Sequence, residues 1–287
     1  MSLEISKIRV RKIKEMSSLI RIELVKQALL IVALSLLATT SQAQNWEVGG
    51  WFGTAHYFGD LNPNFAFDQP ELAGGLIARF NLNDRLAIKF GGNLGHISGN
   101  DALSDDVFQR NRNLSFRSEI KEGNLNFEFN FLKYIHGSKY HKFTPYVFVG
   151  TSLYNFNPQA QLNGEWHDLQ PLGTEGQFRG SEYYLTQVAF NYGGGFKFDI
   201  SYDWSVNLFI SSRRLFTDYL DDVSKVYADP NDLEEIRNDL AVLLADRSLN
   251  NSGIAGNQRG NSKNNDAYAF IGIGLIYNFA RLDCPWF

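Results

Sequence analysis

The sequence predicts an all-β fold: an eight-stranded antiparallel transmembrane β-barrel with long external loops and one helix in the last of them. Three observations predict it. The chain opens with a basic, then apolar, then small-residue leader. Its body holds stretches of strict two-residue alternation. The connections between those stretches alternate long and short.

The leader comes first in the chain. Residues 1–27 carry Lys7, Arg9, Arg11, Lys12, Lys14, Arg21 and Lys26 against Glu4, Glu15 and Glu23. An apolar run, Ala28 to Ala38, follows, and then Thr39, Thr40, Ser41, Gln42 and Ala43. That order is the n-region, h-region and cleavage site of a secretory signal. Ser41 and Ala43 place the cut after Ala43, so residues 1–43 are the expected signal peptide and 44–287 the expected barrel domain. The apolar run is too short for a membrane helix, which needs roughly 20 apolar residues.

Removing the leader's seven basic and three acidic residues from the chain's 27 and 31 leaves 20 and 28, a net charge near −8. An acidic balance argues against nucleic acid as a partner. The single cysteine, Cys284, rules out an internal disulfide. Aromatic residues make up 14% of the chain, which suits either a soluble β protein or a membrane barrel.

Alternation separates those two. A strand points successive side chains to opposite faces. In residues 124–131, Asn124, Asn126, Glu128 and Asn130 share one face, and Leu125, Phe127, Phe129 and Phe131 share the other. Residues 187–200 repeat the pattern, as do 203–213 with Phe209 as the exception, and Ile271, Ile273, Leu275, Tyr277 and Phe279 near the end. Strands are expected at about 45–58, 71–80, 85–98, 113–132, 143–156, 184–201, 203–218 and 266–280. They are long enough for transmembrane strands, which take roughly 9–11 residues. The first, third, fifth and seventh connections are 59–70, 99–112, 157–183 and 219–265; the others are 81–84, 133–142 and 202. Outer-membrane barrels have short periplasmic turns and longer external loops, and a soluble sandwich has no reason to put every long loop at one end. Both termini then lie in the periplasm.

The same parity turns Glu47, Arg79, Lys89, Glu128, Lys197, Asp199 and Arg213 inward. An eight-stranded barrel is just wide enough to be filled by side chains. Charges in such a lumen must be paired, so a plugged interior is expected, with Gly91, Gly95, Gly150, Gly193 and Gly195 relieving crowding. In the last loop, Asp229 and Pro230 begin a helix over 230–246, with Leu233, Ile236, Leu240, Leu243 and Leu244 on one face. The expected role of that helix is to cap the barrel mouth, with partner docking as the alternative. Residues 249–265 suggest a flexible return.

No catalytic constellation is legible. The five histidines are scattered, and HExxH, CxxC and nucleophile-elbow motifs are absent. Neither enzyme activity nor a cofactor is expected. Asp218, Asp221 and Asp222 have the composition of a Ca²⁺ site, but a solvated acidic loop is the simpler reading.

Several stretches carry a resemblance: NWEVGGWFG at 45–53, YFGDLNP at 57–63, RNLSF at 112–116, FTPY at 143–146, LQPLGTEGQF at 169–178, FTDYLDDVS at 216–224 and CPWF at 284–287. The sequence resembles the PorG-like outer-membrane proteins of Bacteroidetes, components of the type IX secretion system classed with DUF6089 barrels. The resemblance implies an outer-membrane component of that gliding-associated machinery, contacting a periplasmic ring of PorK and PorN, as an anchor and not the conduit. Topology then limits ring contact to turn 81–84, turn 133–142 and the tail 281–287. The candidate contacts are Lys133, Tyr134, Lys139, Tyr140 and Lys142 on the turn and Trp286 and Phe287 on the tail, because cations mixed with aromatics suit an interface. A standalone adhesin or structural barrel, or an enzyme acting on lipid A, are the competing expectations.

Overall fold

In a computed structural model of the chain, residues 46–63, 66–67, 69–250 and 252–279 are described. The signal peptide expected at 1–43 and the tail with Trp286 and Phe287 lie outside these residues.

Eight long strands close on themselves. They are β1 (Trp46–Phe58), β2 (Glu71–Asn81), β3 (Leu86–Asn100), β4 (Ser115–Asn130), β5 (Phe143–Leu162), β7 (Thr186–Asp199), β8 (Trp204–Leu215) and β9 (Ala267–Asn278). Each pairs antiparallel with its neighbours, and the pairing of β1 with β9 completes the circle. A four-residue strand, β6 (Glu165–Asp168), pairs only with the far end of β5 and extends it as a hairpin beyond the wall. Among the described residues, three short α-helices sit in the long loops: α1 (Val107–Arg112), α2 (Pro230–Ile236) and α3 (Asp239–Ala245), with 3-10 turns at Asp101–Leu103 and Gln170–Leu172.

Short connections fall at one end. In 82–85, the Asn83 side chain accepts from the backbone N–H of Arg85 and of Leu86 and closes the turn. At 200–203, the Ser201 hydroxyl accepts the N–H of Trp204. The third connection, 131–142, is longer because part of it folds into the lumen.

Residue parity decides the two faces. Along β4, Ser118, Glu122, Asn126, Glu128 and Asn130 are buried, while Leu125, Phe127 and Phe129 are exposed. The outward apolar runs are Leu86 to Leu94 on β3, Val147 to Leu153 on β5, Val188 to Phe198 on β7 and Ile271 on β9 to Phe279 just past its end. About nine residues per strand, at ~3.3 Å rise and ~40° tilt, make a band on the order of 23 Å tall. That matches the apolar band of an outer-membrane barrel. Its lower edge is an aromatic girdle in which Trp46 meets Phe80, Phe143 meets Phe198 and Trp204 meets Tyr277. Aromatic rings with a polar edge favour that interfacial depth. Above the band the outward face turns polar, with Arg117, Glu119 and Lys121 on β4.

The inward face is crowded. A Cβ on Gly195 would lie 1.9 Å from the Leu208 carbonyl oxygen, and one on Gly150 would lie 2.1 Å from that of Leu125. Only glycine fits where neighbouring backbones come this close.

The structure corrects two expectations about the loops. The segment expected as one helix over 230–246 is two, broken at Arg237 and Asn238. Asn238 has extended backbone, and its side chain accepts the N–H of Ala241 to cap α3. Leu233, Ala241 and Leu244 join the buried cluster of the barrel mouth with Tyr57, Phe116 and Tyr154, and Leu240 packs against it, so most of the apolar stripe goes into capping while Leu243 stays exposed. The segment 249–265 is tied down at Arg259, which is buried and donates to the Asp222 carbonyl.

Candidate functional site

The lumen is filled in layers. Nearest the short turns, Glu128 of β4 takes three cations: Arg79 Nε at 2.7 Å, Lys197 Nζ at 2.7 Å and Lys89 Nζ at 3.3 Å. Arg79 also pairs with Glu47. These side chains are at most 9% exposed, so each charge depends on its partners, because an isolated ion there would be prohibitively costly. Lys89 lies 4.0 Å from the centre of the Phe148 ring and Lys197 4.6 Å from that of Tyr146. Ring faces thus take up the sides of the ammonium groups that carboxylates leave open.

Turn 131–142 closes this layer from below. His136 presents Nε2 to Glu47 at 2.7 Å and Nδ1 to Asp199 at 2.8 Å. Two carboxylate partners require both ring nitrogens to donate, which only the imidazolium does. Burial pulls the His136 pKa down, but the hydrogen bonds and charges of Asp199 and Glu47 prevail and push it up to about 9. The Tyr134 hydroxyl donates to the same Asp199 oxygen at 2.5 Å.

A second layer sits higher. Arg213 of β8 makes a two-pronged pair with Glu122 of β4, Nε to Oε2 at 2.7 Å and Nη2 to Oε1 at 2.8 Å. Tyr268 donates to Glu122 at 2.6 Å, Asn93 donates to it at 2.8 Å, and Trp51 donates to Asn93 at 2.8 Å. Between the layers lies a cavity of about 20 Å³ lined by Lys89, Asn93, Asn126 and Arg213, room for about one water. Above it the mouth is apolar, with Ile97, Ile120, Phe156 and Leu215 fully buried.

The structure thus brings Glu47, Arg79, Lys89, Glu128, Lys197 and Asp199 together with His136. It puts Arg213 in a separate layer with Glu122, a residue the sequence reading leaves out. Of the candidate contacts on the turn, Lys133, Lys139 and Lys142 are exposed, and Tyr140 is 90% exposed. Tyr134 is different. It is 7% exposed, faces Asp199, and belongs to the plug and not to the outer surface. The reason is geometric: the turn dips inward between Tyr134 and His136 and returns to solvent at Lys139.

Asp218, Asp221 and Asp222 do not form a solvated loop. All three are buried, with Asp221 accepting from Tyr57, and Asp222 from Thr174 and from Tyr183 at 2.7 Å. No group of three or more His, Cys, Asp or Glu among the described residues is arranged to hold a metal.

Comparison with solved structures gives distant likenesses. Neisserial surface protein A aligns over 81% of this chain and 96% of its own, at 8% identity and a TM-score of 0.42. OprG from Pseudomonas aeruginosa aligns over 82% and 96%, at 9% identity and 0.41. Ail, the attachment invasion locus protein of Yersinia pestis, aligns over 81% and 95%, at 8% identity and 0.35. No curated protein sequence matches. The domain of unknown function DUF6089 matches residues 26–239, three quarters of the sequence, and the chain belongs to that family.

Proposed function

We propose that this barrel resides in the outer membrane as a non-enzymatic anchor of the type IX secretion machinery, its short-turn end contacting a periplasmic ring of the PorK and PorN kind. The observation that carries the anchor reading is the filled lumen. Among the described residues, two ion-pair layers and an apolar mouth fill the lumen and leave only a cavity of about 20 Å³ between the layers, so the barrel's useful surfaces are its ends and its wall.

The turn end supports a docking role. Lys133, Lys139 and Lys142 are exposed around Tyr140, while the plug beneath them fixes the turn from inside. A rigid platform bearing an exposed aromatic and several cations loses little entropy on binding. The resemblance of the sequence stretches at 169–178 and 216–224 to PorG-like proteins is the reason for proposing a ring of that kind.

Deletion of the gene tests this reading. Loss of type IX cargo secretion with detached ring proteins supports it. Normal secretion with altered lipid A would favour an enzyme instead, and failure of surface attachment alone would favour an adhesin. Charge reversal at Lys133, Lys139 and Lys142 should weaken co-purification of the ring with a folded barrel; unchanged co-purification would refute the docking surface.

A further inference from the structure

The external cap carries more carboxyl groups than cations to match them. The loop after β1 contributes Asp60. The segment between β3 and β4 contributes Asp101 and Arg112. The loop between β5 and β7 contributes Glu175 and Tyr183. The last loop contributes Asp218, Asp221, Asp222, Arg247 and Arg259, and Asp266 stands at its junction with β9. From the barrel wall, Tyr57 of β1 and Tyr154 of β5 face the same space.

Two of the three guanidiniums are already committed. Arg112 grips Asp101 with two bonds of 2.8 Å. Arg259 pairs with Glu175 at 3.2 Å and lies 3.7 Å from Asp222. Arg247 instead donates to the hydroxyl and carbonyl of Ser115. Asp60, Asp218, Asp221 and Asp266 are left with no ion-pair partner among the described residues.

These four act on one another: Asp221, Asp218 and Asp60 all bear on Asp266, and Asp60 bears on both Asp218 and Asp221. Asp221 accepts from the Tyr57 hydroxyl. A Cβ built on Gly59 would meet both that hydroxyl and Asp266 Oδ1, so the two atoms border one spot. Asp266 is fully buried, and its Oδ1 has no hydrogen-bond partner; the 7%-exposed Asp218 has only the Ser224 hydroxyl beside it. A bare, buried carboxylate oxygen is among the costliest atoms a protein can hold, and a proton removes most of that cost.

We propose that protons shared among Asp60, Asp218, Asp221 and Asp266 hold the external cap shut, and that the cap loosens as they are lost. Burial raises all four, Asp60 to about 6 and Asp218 to about 7, with Asp221 and Asp266 also driven up by neighbouring carboxylates. A carboxyl raised in the folded state stabilises it fully below the unfolded value of about 4, and that contribution is lost as pH rises through the folded one. The cap is therefore tightest in mild acid. Asp222, raised by burial to about 6, gains charge beside Arg259 over the same range and so strengthens that tie, and release falls on the unpaired cluster.

Paired spin labels test this. Leu103→Cys and Leu243→Cys, both at exposed positions, are introduced with Cys284→Ser, and their separation is measured in detergent at about pH 5.5 and about pH 8. A single narrow distance at the lower pH and its loss at the higher pH are expected. Adding Asp218→Asn and Asp266→Asn should keep the narrow distance at both. A separation that ignores pH would overturn the proposal, as would a double variant that still loses the narrow distance. Barrel folding is checked by migration on unheated gels, and Asp218→Asn alone replaces the double variant if that fails to fold.

Discussion

His136 Nε2 lies 2.7 Å from Glu47 Oε1: a residue of a surface turn is bonded to the first strand across the barrel's interior. Through its other nitrogen His136 reaches Asp199 on β7. One imidazolium thus ties the β4–β5 turn to two distant staves of the wall and makes the turn part of the plug.

That tie has a definite pH dependence. The His136 pKa is raised from its ordinary 6.5 to about 9. A histidine raised in the folded state stabilises it fully below the unfolded value, and the stabilisation disappears as pH rises through the folded one. Thermal unfolding in detergent should show the native chain losing up to about 3 kcal/mol between about pH 6.5 and 9.5. His136→Gln should lack that loss. Parallel pH profiles for the two proteins would contradict the bridge.

Glu128 should be the least replaceable charge of the lumen. Glu128→Ala leaves Arg79, Lys89 and Lys197 buried around an empty site, which costs about 3–5 kcal/mol. By contrast, Lys121→Ala breaks the exposed pair with Glu119 at 2.9 Å and should cost under about 1 kcal/mol. Denaturant unfolding midpoints of the two variants decide the order.

Glycines on opposite faces of the wall should differ. Gly195→Ala forces a Cβ to within 1.9 Å of the Leu208 oxygen, whereas a Cβ on the outward-facing Gly92 meets nothing within 4 Å. Gly92→Ala should fold normally and Gly195→Ala should not, as read by the gel shift of unheated samples.

The filled lumen predicts electrical silence. Protein reconstituted in planar bilayers should show no stable conductance steps. Replacing one layer with Glu122→Ala and Arg213→Ala together should leave the barrel silent, because the Glu128 layer below and the apolar mouth above remain.

Much of this was legible in the sequence because the membrane enforces it. Strands facing lipid must alternate, so β4, β7 and β9 announced their boundaries, and β4 and β7 announced Glu128, Lys197 and Asp199 as inward charges. The signal fades above the apolar band. Around Glu122 the flanking residues are Glu119 and Lys121 on the outward face, so both faces are polar and parity no longer marks the inward side. Turn residues carry no parity at all, which hid the inward dip of Tyr134 and His136. The break between α2 and α3 was hidden for another reason. Asn238 continues a plausible helical pattern, and only the loops packed beneath show that the chain must bend there. The acidic run at 218–222 read as solvated because its partners, Tyr57, Thr174 and Tyr183, come from distant segments.

The most direct test of the anchor is cross-linking from the turn face. A variant with Tyr140→Cys and Cys284→Ser carries one thiol, at the most exposed aromatic of the turn. In cells with an assembled machine, a short cross-linker should join it to a periplasmic ring protein, and the same probe at Leu103, on the external cap, should not. Equal capture from both positions, or none from Tyr140→Cys while the ring is intact, would contradict the account.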